Sequence, residues 1–280
     1  MTHRHRSSAG FTLIEAIMVI VITGIVAGMV AVFITKPVQG YVDSVRRAEL
    51  TDAADVALRR MTRDVRLALP NSLRTVTNGF EFIMTKSGGR YRADGDGSSS
   101  AGNFLSFTDT GDLTFDVLGP MPTMAANDYI VVYNLGSAPA NAYDCSATPP
   151  GCNIARITSF PSTNTVQLAG TSNVFAAQTP PLPSPDARFQ VVDRNEQVVR
   201  YTCDGTSLTR ATLCSLGPTG CTANSAILAG GGTTKASCPT IDYTSAAVGR
   251  NGLLYISLTL TDPSGEAVTL FQQIHVDNAP

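Results

Sequence analysis

No basic run long enough to track a nucleic-acid backbone occurs in this chain, and its formal net charge is −2. Bulk nucleic-acid binding, which needs clustered Lys and Arg, is not expected. Histidine is scarce: two of the three lie within the first five residues, leaving His275 for all the rest. With that one histidine and no G-x-S-x-G, a Ser-His-Asp centre lacks its parts. Neither a P-loop nor a dinucleotide fingerprint is present. There is no C-x-x-C, so the six cysteines fit no zinc spacing. Tryptophan is absent, and no internal repeat is found. No catalytic residue, cofactor or metal is therefore expected, and an enzyme would need a cleft of convergent ionisable groups that the sequence does not offer.

What is present is a composition near the average for folded chains. Of 280 residues 43% are hydrophobic and 15% charged, with 24 Gly and 16 Pro. This suits a loop-rich globular body rather than a disordered tail. The cysteines, Cys145, Cys152, Cys203, Cys214, Cys221 and Cys238, all lie in the second half. An even count without metal spacing favours disulfides in an oxidising compartment over free buried thiols. Fifteen connectivities are possible. The simplest pairs them in order, as Cys145–Cys152 around the turn "SATPPG", Cys203–Cys214 and Cys221–Cys238.

The longest apolar run is "AIMVIVITGIVAGMVAVFI", residues 16 to 34, which carries no charge. At 1.5 Å per residue it reaches about 28 Å, enough to cross a hydrocarbon core. Arg4 and Arg6 precede it, so the positive-inside tendency places the N-terminus in the cytoplasm and the bulk of the chain outside. No A-x-A signal-peptidase site follows the run, so the apolar segment is expected to be retained. Glu15 stands at its head, where a lone carboxylate costs a few kcal/mol of insertion free energy. Gly24 and Gly28 form a G-x-x-x-G pair that permits close helix approach, although glycine is common in such helices anyway.

Beyond Pro37 the helical period continues to about Leu69. Ala54, Leu58, Met61, Val65 and Ala68 recur at spacings of three and four, marking one buried stripe. Arg59, Arg60, Arg63 and Arg66 take the other faces, with Asp55–Arg59 and Arg60–Asp64 as i,i+4 pairs. Pro70 ends the helix. The remainder reads as short strands bounded by Gly, Pro, Asn and Ser: "FEFIM", "NFLSF", "DLTFDVL", "DYIVVYNL", "RITSF", "TVQLA" and "RFQVV". The clearest hairpin is the last, where Leu254, Ile256, Leu258 and Leu260 alternate, "DPSG" turns, and Val268, Leu270, Ile274 and Val276 resume. His275 faces away from that apolar side and reads as an exposed strand residue. "DGDGSSSAGN" begins like a calcium loop with Asp94 and Asp96, but its twelfth position is Leu105, where a carboxylate is needed. A polar loop is the better reading.

The stretch "SSAGFTLIE", a Gly, an aromatic and T-L-I-E before an uninterrupted apolar run, resembles the processing site of type IV prepilins and type II secretion pseudopilins. The resemblance implies that a prepilin peptidase cuts between Gly10 and Phe11 and methylates the new N-terminus at Phe11, making Glu15 the fifth mature residue. It gives Glu15 a role in assembly, since cleavage leaves a cationic amine one helical turn away, on the same or a neighbouring subunit. At about 4 Å and an effective dielectric near 20 the attraction is of order 4 kcal/mol before desolvation. The alternative is that Glu15 only snorkels to the headgroups.

"KPVQGYVDSVRRAELTDAADVALRRMTRDVRLALPNSLR" is similar to the stalk of MshO-type minor pilins, encoded with mannose-sensitive haemagglutinin (MSHA) pili. "FDVLGP" and "VVRYTCDGTSLTR" fit the same relationship, and the latter is shared with J-type minor pseudopilins. The likeness covers residues 10 to 73 and is patchy beyond. It implies a pilin-like α+β fold: a leader at 1–10, a helix at 11–69 (11–35 transmembrane, 36–69 an amphipathic stalk), and a large antiparallel β-rich head at 70–280. The implied location is the inner membrane, single-pass with a periplasmic head, and then the filament or its tip. The implied partners are the prepilin peptidase, the other minor pilins, the major pilin and the inner-membrane assembly platform. A head this large would crowd its neighbours in every subunit of a filament, which favours low copy number. A membrane-anchored adhesin is the reading from a different class.

Overall fold

The computed structural model describes residues 10–95, 102–145, 152–216, 221–244 and 251–280. The chain falls into two compact units, one ending at Glu49 and the other comprising Leu50–Pro280. The helix α1 (Leu13–Val65) begins in the first and ends in the second, and its helical hydrogen bonding continues past Pro37. In the first unit every described residue is exposed. Three hydroxyls there turn back onto the helix's own carbonyls: Thr23 to Val19, Thr35 to Ala31 and Ser44 to Gly40. Residues 16–35 carry no charge and both of their hydroxyls are satisfied internally, which suits a medium without water.

In the second unit the period of α1 becomes a buried stripe. Leu50, Ala54, Ala57, Leu58, Met61, Asp64 and Val65 are buried. The helix stops at Val65, short of the expected Leu69, because residues 67–69 give their backbones to a strand. Leu69 N–H donates to Ile83 O at 2.8 Å, and Thr85 N–H donates to Leu67 O at 2.8 Å.

The strands that follow are β1 (Arg74–Val76), β2 (Gly79–Ile83), β3 (Thr85–Tyr91), β4 (Thr114–Leu118), β5 (Tyr129–Val131), β6 (Ile154–Ser159) and β7 (Thr165–Leu168). After the one-turn helix α2 (Val174–Ala177) come β8 (Arg188–Val192), β9 (Val198–Cys203), β10 (Ser207–Leu213), β11 (Asn224–Gly230), β12 (Lys235–Thr244), β13 (Gly252–Thr261) and β14 (Ala267–Val276). They form a five-stranded sheet, β1-β2-β9-β10-β11, a three-stranded sheet, β12-β13-β14, and a closed barrel, β3-β4-β7-β6-β5-β8, all paired antiparallel. The α+β layout, a long apolar N-terminal helix followed by a large antiparallel β region, is as the sequence predicts.

The two open sheets share one core with α1. Met61, Ala54 and Leu58 meet Phe80, Phe82, Val199 and Tyr201 from the first sheet and Leu254, Ile256 and Leu258 from the second. The barrel has its own core of Tyr91, Phe115, Ile130, Ile157, Val166, Phe175 and Phe189. Its chain leaves the five-stranded sheet after β2 and returns as β9. Those two strands are paired, Ile83 opposite Val198, so the barrel is an insertion between neighbours. A third cluster, including Ile83, Val198, Tyr129, Val131, Ile154 and Val192, fastens the barrel wall to that sheet. "NFLSF" is not a strand: Leu105 is buried and its N–H donates to Arg92 O, but the segment joins no ladder.

Asp64 departs from the expected i,i+4 pair with Arg60. Its Oδ2 accepts from Tyr201 Oη at 2.6 Å and from Arg210 Nε at 2.7 Å, on the sheet that the helix covers. Arg210 also pairs with Glu196. Burial, reinforced by the hydrogen bond to Asp64, pushes the Tyr201 phenol well above its ordinary range, so it remains a donor. By contrast Asp55–Arg59 is an exposed i,i+4 pair at 2.7 Å.

Two expected disulfides are replaced. Cys145 bonds to Cys152, with Cα atoms 5.9 Å apart, and the intervening "SATPPG" lies outside the described residues. Cys203 bonds to Cys238 and Cys214 to Cys221, in place of Cys203–Cys214 and Cys221–Cys238. The register explains the change. Cys203 lies opposite Leu208 at one end of the β9–β10 ladder, whereas Cys214 follows Leu213 at the other. Six residues of strand put them roughly 20 Å apart along the ladder, far beyond disulfide reach. The strand pairing instead brings Cys214 near the start of β11, beside Cys221, and Cys203 near β12, beside Cys238.

Arg210→Ala strands a buried carboxylate and is expected to lower the unfolding free energy of the full-length protein by about 3–5 kcal/mol. Arg59→Ala, at the exposed pair, costs less than about 0.5 kcal/mol. Denaturant unfolding in detergent, followed by circular dichroism, measures both, and equal costs would refute the buried cluster's role. Non-reducing peptide mapping is expected to yield Cys203–Cys238 and Cys214–Cys221 peptides. Recovery of a Cys203–Cys214 peptide contradicts the strand register.

Candidate processing and assembly segment

The residues that resemble a prepilin processing site lie together at the start of α1. Gly10 and Phe11 precede the helix and are exposed, with Phe11 78% exposed, so the Gly10–Phe11 bond is sterically open. Thr12 is the helix N-cap: its carbonyl accepts the first turn's bond from Ala16 N–H at 3.2 Å, and its Oγ1 accepts from Glu15 N–H at 3.4 Å. This Thr-x-x-Glu spacing is that of a capping box, a local signal carried by residues 12–15 alone. It gives Glu15 a second reason to stand where it does, because a carboxylate in the first turn also faces the positive end of the helix dipole.

Glu15 is exposed, and among the described residues its carboxylate has no partner. It heads a segment of α1 that is long and apolar enough to cross a membrane and that buries none of its surface within the protein. A single-turn separation from Phe11 puts an amine created there within range of this carboxylate. Residues 1–9 of the expected leader, with Arg4 and Arg6, lie outside the described residues.

Other residues weighed from the sequence do not join this segment. Asp94 is exposed just after β3, while Asp96 lies outside the described residues. Leu105, at the twelfth position of the loop, is a barrel core residue. His275 is exposed on the outer face of β14.

The head's ionisable clusters are the residues that sequence reasoning missed. Glu81 is held between two arginines: Arg74 Nη2 lies 2.6 Å from Oε1, and Arg200 Nη2 lies 2.6 Å from Oε2. The Arg74 guanidinium also lies 3.7 Å over the Tyr143 ring. Lys86 bonds to Asp193 at 2.9 Å and to Asp128 at 3.2 Å. The hydrogen bond to Asp193 holds the Lys86 ammonium above its ordinary range. The strand register makes the first cluster visible, since Arg74, Glu81 and Arg200 stand opposite one another across β1, β2 and β9. Their spacing in sequence carries no such signal. These clusters tie strands together: each cation lies against a carboxylate of another element.

Residues 5–31 match the family model described as the prokaryotic N-terminal methylation motif, a stretch that contains Gly10, Phe11, Thr12 and Glu15. No curated protein and no solved structure gives a match. The motif supports the type IV prepilin and pseudopilin family, fits anchoring of the chain in a membrane through its apolar helix, and indicates a structural, type IV pilin-like protein.

Proposed function

We propose that the protein is a minor pilin of an MSHA-type type IV pilus, cut between Gly10 and Phe11 by a prepilin peptidase, methylated at Phe11 and assembled at low copy number. The observation that carries this reading is the placement of Glu15 in the first turn of an exposed apolar helix, directly after an accessible Gly-Phe bond. Before assembly the helix sits in the inner membrane with the head on the periplasmic side. The inner-membrane assembly platform then transfers it among the other minor pilins and the major pilin, where apolar helices replace lipid.

In that step neither charge can travel alone. An ammonium or a carboxylate moved without its partner into a helix-packed core costs several kcal/mol, and pairing offsets it. Glu15 therefore recognises the amine of Phe11, its own or a neighbour's. The size of the β region favours a position at the tip or in an initiating complex, because such a head cannot repeat closely along a thin fibre. A minor pseudopilin of type II secretion is the second reading. It is favoured by the "VVRYTCDGTSLTR" segment, which folds as the β9–β10 hairpin.

Mass spectrometry of the protein from a membrane fraction is expected to show a methylated chain beginning at Phe11. An intact chain beginning at Met1, in a strain that has the peptidase, overturns the assignment. Glu15→Ala is expected to be processed normally yet to be depleted at least tenfold from sheared filaments, as judged by immunoblot. Incorporation equal to the unaltered chain would refute the charge-pairing role while leaving the processing assignment intact.

A further inference from the structure

β14 forms one side of the three-stranded sheet. It pairs with β13 over all ten of its residues, and among the described residues no strand pairs with its other side. An open edge of that kind offers a row of unpaired N–H and C=O groups, and folded proteins usually blunt it with proline, lysine, a bulge or shortness. The other open-sheet edges here are blunted in this way. β12 carries Lys235, Pro239 and Asp242, with a register shift between Ser237 and Thr240. β11 is bulged against β10, and β1 has only three residues. β14, "AVTLFQQIHV", has no proline, lysine, arginine or carboxylate and keeps an unbroken ladder. Ile274 and Val276 are buried at its C-terminal end, but toward the N-terminal end its apolar side chains are incompletely covered on both faces. Val268 and Leu270 are half-buried on the core side, while Phe271 is 63% exposed on the other and stacks on Tyr255 at 6.1 Å.

We propose that β14 pairs antiparallel with β14 of a second copy, joining two three-stranded sheets into one of six strands. The occupant is a second copy because the strand is self-complementary: none of its ten residues places like formal charges across such a pairing. Geometry narrows the register. Antiparallel partners must present side chains to the same face, so the two-fold axis passes through a residue and not between two. Phe271 is a central residue of the strand. With the axis there, the two exposed rings meet beside Tyr255, Thr269 faces Gln273 of the second copy, and Ala267 faces His275. This contact stands independently of the pilin reading.

Cysteine cross-linking of the full-length protein in detergent tests it. Phe271→Cys places two thiols across the axis and is expected to give a disulfide-linked dimer as the major species on a non-reducing gel. Ile227→Cys on β11, where the residue is equally exposed at 61%, is expected to give at least tenfold less. Within F271C, adding T269K and Q273K opposes like charges twice and is expected to reduce the dimer at least tenfold. Adding T269K and Q273E opposes unlike charges and is expected to preserve it. A monomeric F271C chain, equal cross-linking at position 227, equal yields from the two charge pairs, or cross-linking of F271C to a different protein instead of itself would each overturn the proposal.

Discussion

A buried carboxylate on the helix, Asp64, fixes how α1 lies against the sheet it covers. The apolar stripe supplies most of the burial, but Ala, Leu, Met and Val side chains tolerate small slides and rotations, since dispersion and area burial have little direction. Asp64 does not tolerate them. Its Oδ2 takes Tyr201 Oη from β9 and Arg210 Nε from β10, and a shift of an ångström in either direction leaves a desolvated charge unsatisfied. Arg210 passes the constraint on to Glu196, in the turn before β9. The link therefore reaches the place where the chain returns from the barrel. Cys203, two residues beyond Tyr201, then binds the sheet to β12. Helix, first sheet and second sheet are thus connected in series, by a charge cluster and then by a covalent bond.

How much of this could be read from residues alone follows from the range of each interaction. The buried stripe was legible because helical packing repeats every three or four residues, and four of its five expected members are fully buried. The β13–β14 hairpin was legible because alternation and the turn lie within one short span. The N-terminal methylation motif is equally local, with Gly10, Phe11 and Glu15 inside six residues. Long-range pairings left no such trace. Asp64 lies 137 residues from Tyr201, and an aspartate next to last in a helix looks like any solvated i,i+4 partner. Of the in-order disulfides, Cys145–Cys152 stands and the other two fail for the same reason: sequence proximity placed Cys203 and Cys214 together, whereas antiparallel pairing holds them at opposite ends of one ladder.

The barrel was hidden by a different cause. Its strands are short, and β3, which closes it between β4 and β8, reads "TKSGGRY" with no apolar alternation. The glycines explain that lack. A Cβ at Gly89 would meet the Phe189 ring at 2.7 Å, and one at Gly88 would meet the Gln190 side chain at the same distance. Close approach of β3 to β8 requires residues that carry no strand signature, so the closing strand is the least strand-like part of the sequence. "NFLSF" shows the converse, since its apolar residues satisfied the pattern while its backbone makes only scattered bonds, among them Leu105 N–H to Arg92 O and Asp116 N–H to Asn103 O.

One element, α1, carries two kinds of surface, one apolar and exposed and the other packed in a core. From Leu50 its stripe packs in the head; over residues 16–35 no side chain is charged and none is buried. Such a surface is stable only against lipid or other helices. Thr23 and Thr35 carry the polar side chains of that run, and each is satisfied by a carbonyl of the same helix. Glu15 is the exception, an acceptor with no donor among the described residues. A group without a partner among the described residues, at the head of a run (16–35) whose two hydroxyls are both satisfied, points to a partner supplied after folding. On the proposed reading that partner is the amine uncovered at Phe11, and the charge that opposes burial before cleavage becomes half of a pair afterwards.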